Sequence, residues 1–323
     1  MSMEARFFKS LHTTFLLGFA LLGIVLCAAN PASGAEMQLL RPSSQTRIVA
    51  PTQIPAKIAL GSTQVYRYDT ANFTITNAPT PEMAREFGEA AETYRRELAV
   101  LWIGQSMPNW SAKCPIKVKV GNYGASGDTT FTFESGEVYR WDMNVQGTRE
   151  RILDSVLPHE ISHTIFASYF RRPLPRWLDE GASTSVEHIS ERATYRRMLL
   201  EFVDPTVRRG IPFNRMVEMH EYPRDHLALY AQCNSVAEFL IGQGGNRRFI
   251  AFAKDGLDSS DWNVAARQHY GYDNLDDLQT VWIRWVGEGF PDIESYEPAL
   301  VRSRRIQPVG QPSIPRFAMV AGL

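Results

Sequence analysis

Apolar and polar residues alternate over Phe73 to Asn77 (FTITN) and again over Pro115 to Asn122 (PIKVKVGN), the period of two expected of half-buried strands. Between them the period changes. Met83, Phe87, Ala91, Tyr94, Leu98 and Leu101 recur at helical spacing, which predicts a helix opening near Pro81, a residue suited to a first turn. Strand character returns in TTFTFESGEVYRWDMNVQG as a hairpin about Ser135-Gly136, its second arm running through Met143 to Val145. Residues 61–147 are therefore expected to form a small mixed sheet with at least one helix.

From Thr148 onward helical patterns follow one another: residues 148–170, the stretch from Trp177 to Phe202, an amphipathic run from His226, and a closing segment from Asp276. Gly242, Gly244 and Gly245 read as the stop of the third of these, not as a phosphate loop, because no strand precedes them. A sheet followed by a helical half is the α+β arrangement. One domain is expected over 61–290, its sheet part 61–147 and its helical part 148–290. Residues 36–60, rich in Pro, Ser, Gln and Thr, read as an extended leader, and 291–323 as a loosely held tail.

Residues 1–35 stand apart. Arg6 and Lys9 precede a wholly apolar run from Phe15 to Ala29, and Ser33-Gly34-Ala35 offers a small-residue cleavage site. This layout predicts a signal peptide and export to the periplasm or medium; left uncleaved, it would be a membrane anchor. A formal net charge of −1 gives no electrostatic footprint for a nucleic-acid partner. Beyond residue 35 only Cys114 and Cys233 remain, two thiols that an exported protein can leave apart or join in one disulfide.

The chemistry concentrates in VLPHEISHTIF, Val156 to Phe166. On a helix, His159 and His163 project about 40° apart around the axis, close enough to reach one ion. Glu160 points to the edge of that face, where a carboxylate can take a proton from an activated water without itself being a ligand. The competing reading is a pair of helical histidines bridged to carboxylates. The apolar flanks Ile152, Leu153, Val156, Leu157, Ile161, Ile165 and Phe166 argue for a buried helix, and buried histidines need partners. Pro158 predicts a kink just ahead of His159. Pro173 and Pro175 let the chain turn back, so that Trp177 and Leu178 plug the core and Glu180 becomes the best third ligand, early in an antiparallel helix. Glu187, two helical turns on, would accept the second ring N–H of a ligand histidine.

VLPHEISHTIF followed by WLDEGAS resembles the gluzincin metallopeptidases, specifically the peptidase MA-like group related to membrane alanyl aminopeptidases and thermolysin. The resemblance covers roughly Val120 to Asp255. It implies a zincin-like architecture, with zinc held by His159, His163 and Glu180, Glu160 as general base and Glu187 behind the ligands. It also implies an edge strand around Trp141 to Val145 that aligns a peptide by β-augmentation. The family segment matched by DHLALYAQCNSVAEFLIGQGG bears an oxyanion-stabilising tyrosine, which makes Tyr230 the candidate here and His226, one turn earlier, its understudy. No Gly-x-Met-Glu-Asn amine anchor is present, so the expectation is an exported zinc endopeptidase acting on peptide or protein substrates, with aminopeptidase action disfavoured. An inactive zinc-containing binding protein and a zinc hydrolase of other carbonyl substrates are the alternatives.

Overall fold

A computed structural model describes residues 64–204 and 206–293. The expected signal peptide, leader and most of the C-terminal tail lie outside the described residues. The architecture is α+β: a five-stranded mixed sheet followed by a helical half. Among the described residues no helix is long and apolar enough to cross a membrane.

The sheet comprises β1 (Tyr66–Asp69), β2 (Phe73–Ala78), β3 (Cys114–Val120), β4 (Ser126–Glu134) and β5 (Glu137–Gly147), in the order β1-β2-β3-β5-β4. β2, β3 and β5 run parallel, while β4 pairs antiparallel to β5 at one edge. The hairpin joining β4 to β5 turns at Ser135 and Gly136, both with positive φ (51° and 76°), the backbone that lets two residues follow the strand twist. The expected edge strand at Trp141–Val145 is therefore corrected. That stretch belongs to β5, which is interior because a tight hairpin must pair with its own return arm. β4 is the edge.

Helix α1 (Pro81–Ile103) connects β2 to β3, lies against β1 and β2, and buries Phe87, Ala91 and Leu98, while Trp102 near its end is edge-on to Phe166 (5.3 Å). Thr80 caps its N-terminus by accepting from the Met83 N–H (3.2 Å), and Gly104 closes it in the left-handed region. The helical half then runs as α2 (Arg149–Arg151), a π-helical turn (Ile152–Val156), α3 (Leu157–Phe170), α4 (Arg176–Thr184), α5 (Ile189–Phe202), α6 (Phe213–Met216), α7 (His226–Ser259), α8 (Trp262–Tyr270) and α9 (Leu275–Gly287). The helix read from Trp177 onward is broken at residues 185–188 into α4 and α5. α7 is interrupted at Gly245 (φ 75°), so the glycines do end its first part, but the chain resumes a helix directly.

Trp177 plugs the core as expected, edge-on to Phe249 (6.0 Å) and Trp262 (5.6 Å). Truncating such a buried tryptophan costs about 3–5 kcal/mol. α4 approaches α7 closely at Gly181, where a β-carbon would fall 2.5 Å from the Cys233 carbonyl oxygen. Cys114 on β3 and Cys233 on α7 are both buried and unbridged.

Candidate metal centre

The site begins with an irregularity ahead of α3. Pro158 has no N–H to give, and the Leu157 N–H bonds five residues back to the Ile152 carbonyl. The Leu153 carbonyl thereby loses its helical donor, and the Tyr94 hydroxyl of α1 supplies one at 2.7 Å. So the bend expected at Pro158 takes the form of one widened turn, pinned to the sheet-covering helix, and the helical path continues into α3.

His159 and His163 then project from one face of α3, with ring centroids 4.9 Å apart. Each imidazole is oriented through Nδ1. His159 Nδ1 meets Glu187 Oε1 at 2.7 Å, and His163 Nδ1 meets Asp179 Oδ1 at 2.7 Å. That leaves both Nε2 atoms facing Glu180, whose Oε2 lies 3.5 Å from His159 Nε2 and 3.9 Å from His163 Nε2. The three donor atoms all lie within 4.8 Å of one another. A tetrahedral ion with bonds of about 2.0–2.1 Å needs donors roughly 3.3 Å apart, so small side-chain shifts close this set on an ion. His163 Nε2 is buried and makes no hydrogen bond among the described residues, while Glu180 Oε2 is buried with His159 Nε2 3.5 Å away. Buried polar atoms are almost always satisfied, and a divalent cation would satisfy these. The donor set fits zinc.

Glu160 is buried beside this group but is not part of it. The Thr129 hydroxyl of β4 donates to Glu160 Oε2 at 2.6 Å. Burial raises the Glu160 carboxyl to about 7, against the opposing pull of His159, His163 and Thr129. Burial pushes Glu180 in the same direction, but His159, His163 and the Tyr222 hydroxyl outweigh it and hold that carboxyl at about 2. For His159, burial disfavours the proton, yet the hydrogen bonds of Glu180 and Glu187 prevail and raise it well above the usual histidine range. His163 is likewise raised, burial being outweighed chiefly by Asp179. Two adjacent carboxyls with their affinities for protons driven apart are a recurrent signature of acid–base sites.

A small pocket opens beside His159 and Glu160, walled by Gly127, Ser155, Val156 and the Arg151–Glu191 ion pair.

Of the residues singled out in the sequence, His159, Glu160, His163, Glu180 and Glu187 come together. Glu187 does so from the tightened turn after α4, where its N–H bonds to the Thr184 carbonyl, not from a continuing helix. Tyr230 is buried in α7 beside a second tyrosine, Tyr222, with ring centroids 6.1 Å apart. It is Tyr222 whose hydroxyl donates directly to Glu180 Oε1. His226 is exposed at the first position of α7. Sequence reading missed Asp179, Tyr222, Thr129 and Gly127. Asp179 carried a signal, a second carboxylate beside Glu180 in the same helical turn. Tyr222 carried none, since it lies in the unpatterned stretch between α5 and α7. No family model matches the chain, and no curated protein matches it in sequence.

Proposed function

We propose that this protein is an exported zinc-dependent peptidase of gluzincin type, cleaving within peptide chains. The observation that carries the reading is the convergence of His159, His163 and Glu180 beside a buried carboxylate, Glu160, that is not needed as a ligand. Zinc bound by the three would acidify a water and polarise the scissile carbonyl. Glu160 would take that water's proton and pass it to the leaving amine. Thr129 orients Glu160 for this, and Glu187 and Asp179 hold the two imidazoles in the tautomer that presents Nε2.

β4 is the strand on which a substrate would be aligned. It is one edge of the sheet, and it carries Gly127 and Thr129 against Glu160. An extended peptide added to it would run past the general base, with main-chain hydrogen bonds giving affinity. Of the two phenols, Tyr222 contacts Glu180 directly, and Tyr230, its ring 6.1 Å from that of Tyr222, is the candidate for the oxyanion role.

A second reading, a zinc-containing binding protein without turnover, draws on the depth of the cluster: Glu160 is 1% and Glu180 0% exposed. Zinc content of the purified protein against His159→Ala, together with cleavage of an unbiased peptide library, separates the two. Stoichiometric zinc with cleavage supports the peptidase. Stoichiometric zinc without cleavage supports the binding protein, and absence of zinc from the wild type overturns both.

A further inference from the structure

Glu180 has two carboxylate oxygens with different surroundings. Oε2 faces the imidazoles, while Oε1 accepts the Tyr222 hydroxyl and lies 3.9 Å from Arg176 Nη1. The direction of that hydrogen bond is set by a third residue. Arg176, at the first position of α4, places Nη1 3.2 Å from the Tyr222 oxygen, and its guanidinium lies 4.1 Å from the Tyr222 ring centroid. A guanidinium has donors only, so the phenol oxygen must accept from Arg176 and direct its own proton at Glu180. Arg176 also fixes the chain that carries the tyrosine. Its backbone N–H donates to the Met219 carbonyl at 2.7 Å, and its Nε to the His220 carbonyl at 3.1 Å. Arg176 is itself buried, so this arrangement is enclosed on the protein side.

The consequence is geometric. A carboxylate free to turn about its last bond presents either oxygen to an ion, or neither. With Oε1 pinned by Tyr222, Oε2 has one direction left, toward His159 and His163. We propose that Tyr222, held by Arg176, is a positioning residue that aims Glu180 at the two imidazoles and thereby sets the affinity of the site for a divalent cation. This rests on the reading of His159, His163 and Glu180 as ligands, and adds to it a part of the chain that carries none of the motif.

The test is Tyr222→Phe, which keeps the ring and its contact with Arg176 and removes only the hydroxyl. Zinc affinity is read by competition with a chromophoric chelator, and the ligand field by the visible absorption of the cobalt(II)-loaded protein. The variant is expected to bind zinc about 10–100-fold more weakly, the range for loss of a residue that orients a ligand, and to show altered cobalt bands. Wild-type protein that takes up zinc while Tyr222→Phe matches its affinity within twofold, with unchanged cobalt bands, overturns the proposal but leaves the metal reading standing. Wild-type protein that takes up no zinc overturns both. Should near-ultraviolet dichroism show that Tyr222→Phe does not fold, the same two readings are made on Arg176→Lys, which keeps a positive charge beside Glu180 Oε1 but loses the planar fork that fixes the phenol. Weakened zinc binding there supports the proposal, and unchanged binding overturns it.

Discussion

Gly127 on the edge strand lies directly against Glu160: a β-carbon at Gly127 would stand 2.7 Å from Glu160 Cγ and 2.8 Å from Cδ. The glycine is there for space and not for an unusual φ. Gly127→Ala must displace either the strand or the carboxylate, and forced overpacking of this kind costs about 1–3 kcal/mol. The expected outcome is a lower melting temperature and a loss of hydrolysis, with zinc stoichiometry intact because no ligand is touched. Calorimetry, metal analysis and a peptide cleavage assay on one preparation check it. An alanine variant with wild-type melting and wild-type rate would mean that the strand has room it does not show.

Glu160→Gln separates the general base from the metal cluster. The amide has nearly the same shape and can still accept from Thr129, but it cannot take a proton. Zinc content should stay stoichiometric while kcat/KM falls by about 10²–10⁴-fold, the usual contribution of a positioned acid–base group. His163→Ala should lose both zinc and activity. A glutamine variant cleaving at the wild-type rate removes Glu160 from the mechanism.

Asp179→Asn and Glu187→Gln probe the groups behind the imidazoles. Each carboxylate lies 2.7 Å from a ring Nδ1 and keeps the opposite nitrogen directed at the cluster. Neutral amides hold the ring less firmly and present a donor as readily as an acceptor, so zinc affinity should drop about 10–100-fold in each variant. The two effects should add within a few tenths of a kcal/mol if the imidazoles are oriented independently. Equal zinc affinity in wild type and both variants would assign these hydrogen bonds to folding alone.

The part of this site that was legible in the sequence is the part built from local periodicity. His159, Glu160 and His163 share a helix, so spacing alone puts the two histidines on one face, whereas Glu180, early in the next helix, was a candidate that only the fold brings to them. The edge strand was misassigned for a topological reason. Alternation marks Trp141 to Val145 as a strand, but only the pairing of β5 with both β3 and β4 shows it to be interior. Tyr222 was illegible because no period reaches it. It arrives at Glu180 through Arg176's grip on Met219 and His220, a contact between segments more than forty residues apart in the chain. The widened turn before α3 is intermediate. Pro158 announces a missing hydrogen bond, but not that Tyr94 replaces it.

Ionisation of the cluster gives the metal-free protein a pH dependence opposite to that of zinc binding. His159 and His163 hold protons above the usual histidine value of 6.5, so the stability they contribute is complete below that pH and is lost as pH rises through their folded values. Glu160, raised from 4.5 to about 7, acts in the same direction: between those values the folded chain keeps a proton that the unfolded chain has released, and stability declines with rising pH. Glu180, lowered from 4.5 to about 2, contributes stability above 4.5 that disappears as pH falls toward 2. Chelator-treated protein should therefore melt at its highest temperature near pH 5 and at progressively lower temperatures toward pH 8, as well as below pH 4. Zinc must displace protons from both imidazoles, so its affinity climbs over the same upper range. The gain in melting temperature on adding saturating zinc should be small at pH 6 and large at pH 8. Melting curves with zinc and with chelator across pH 4–8 decide the matter. A zinc-induced gain that is the same at pH 6 and pH 8 would show that the imidazoles do not exchange protons for metal.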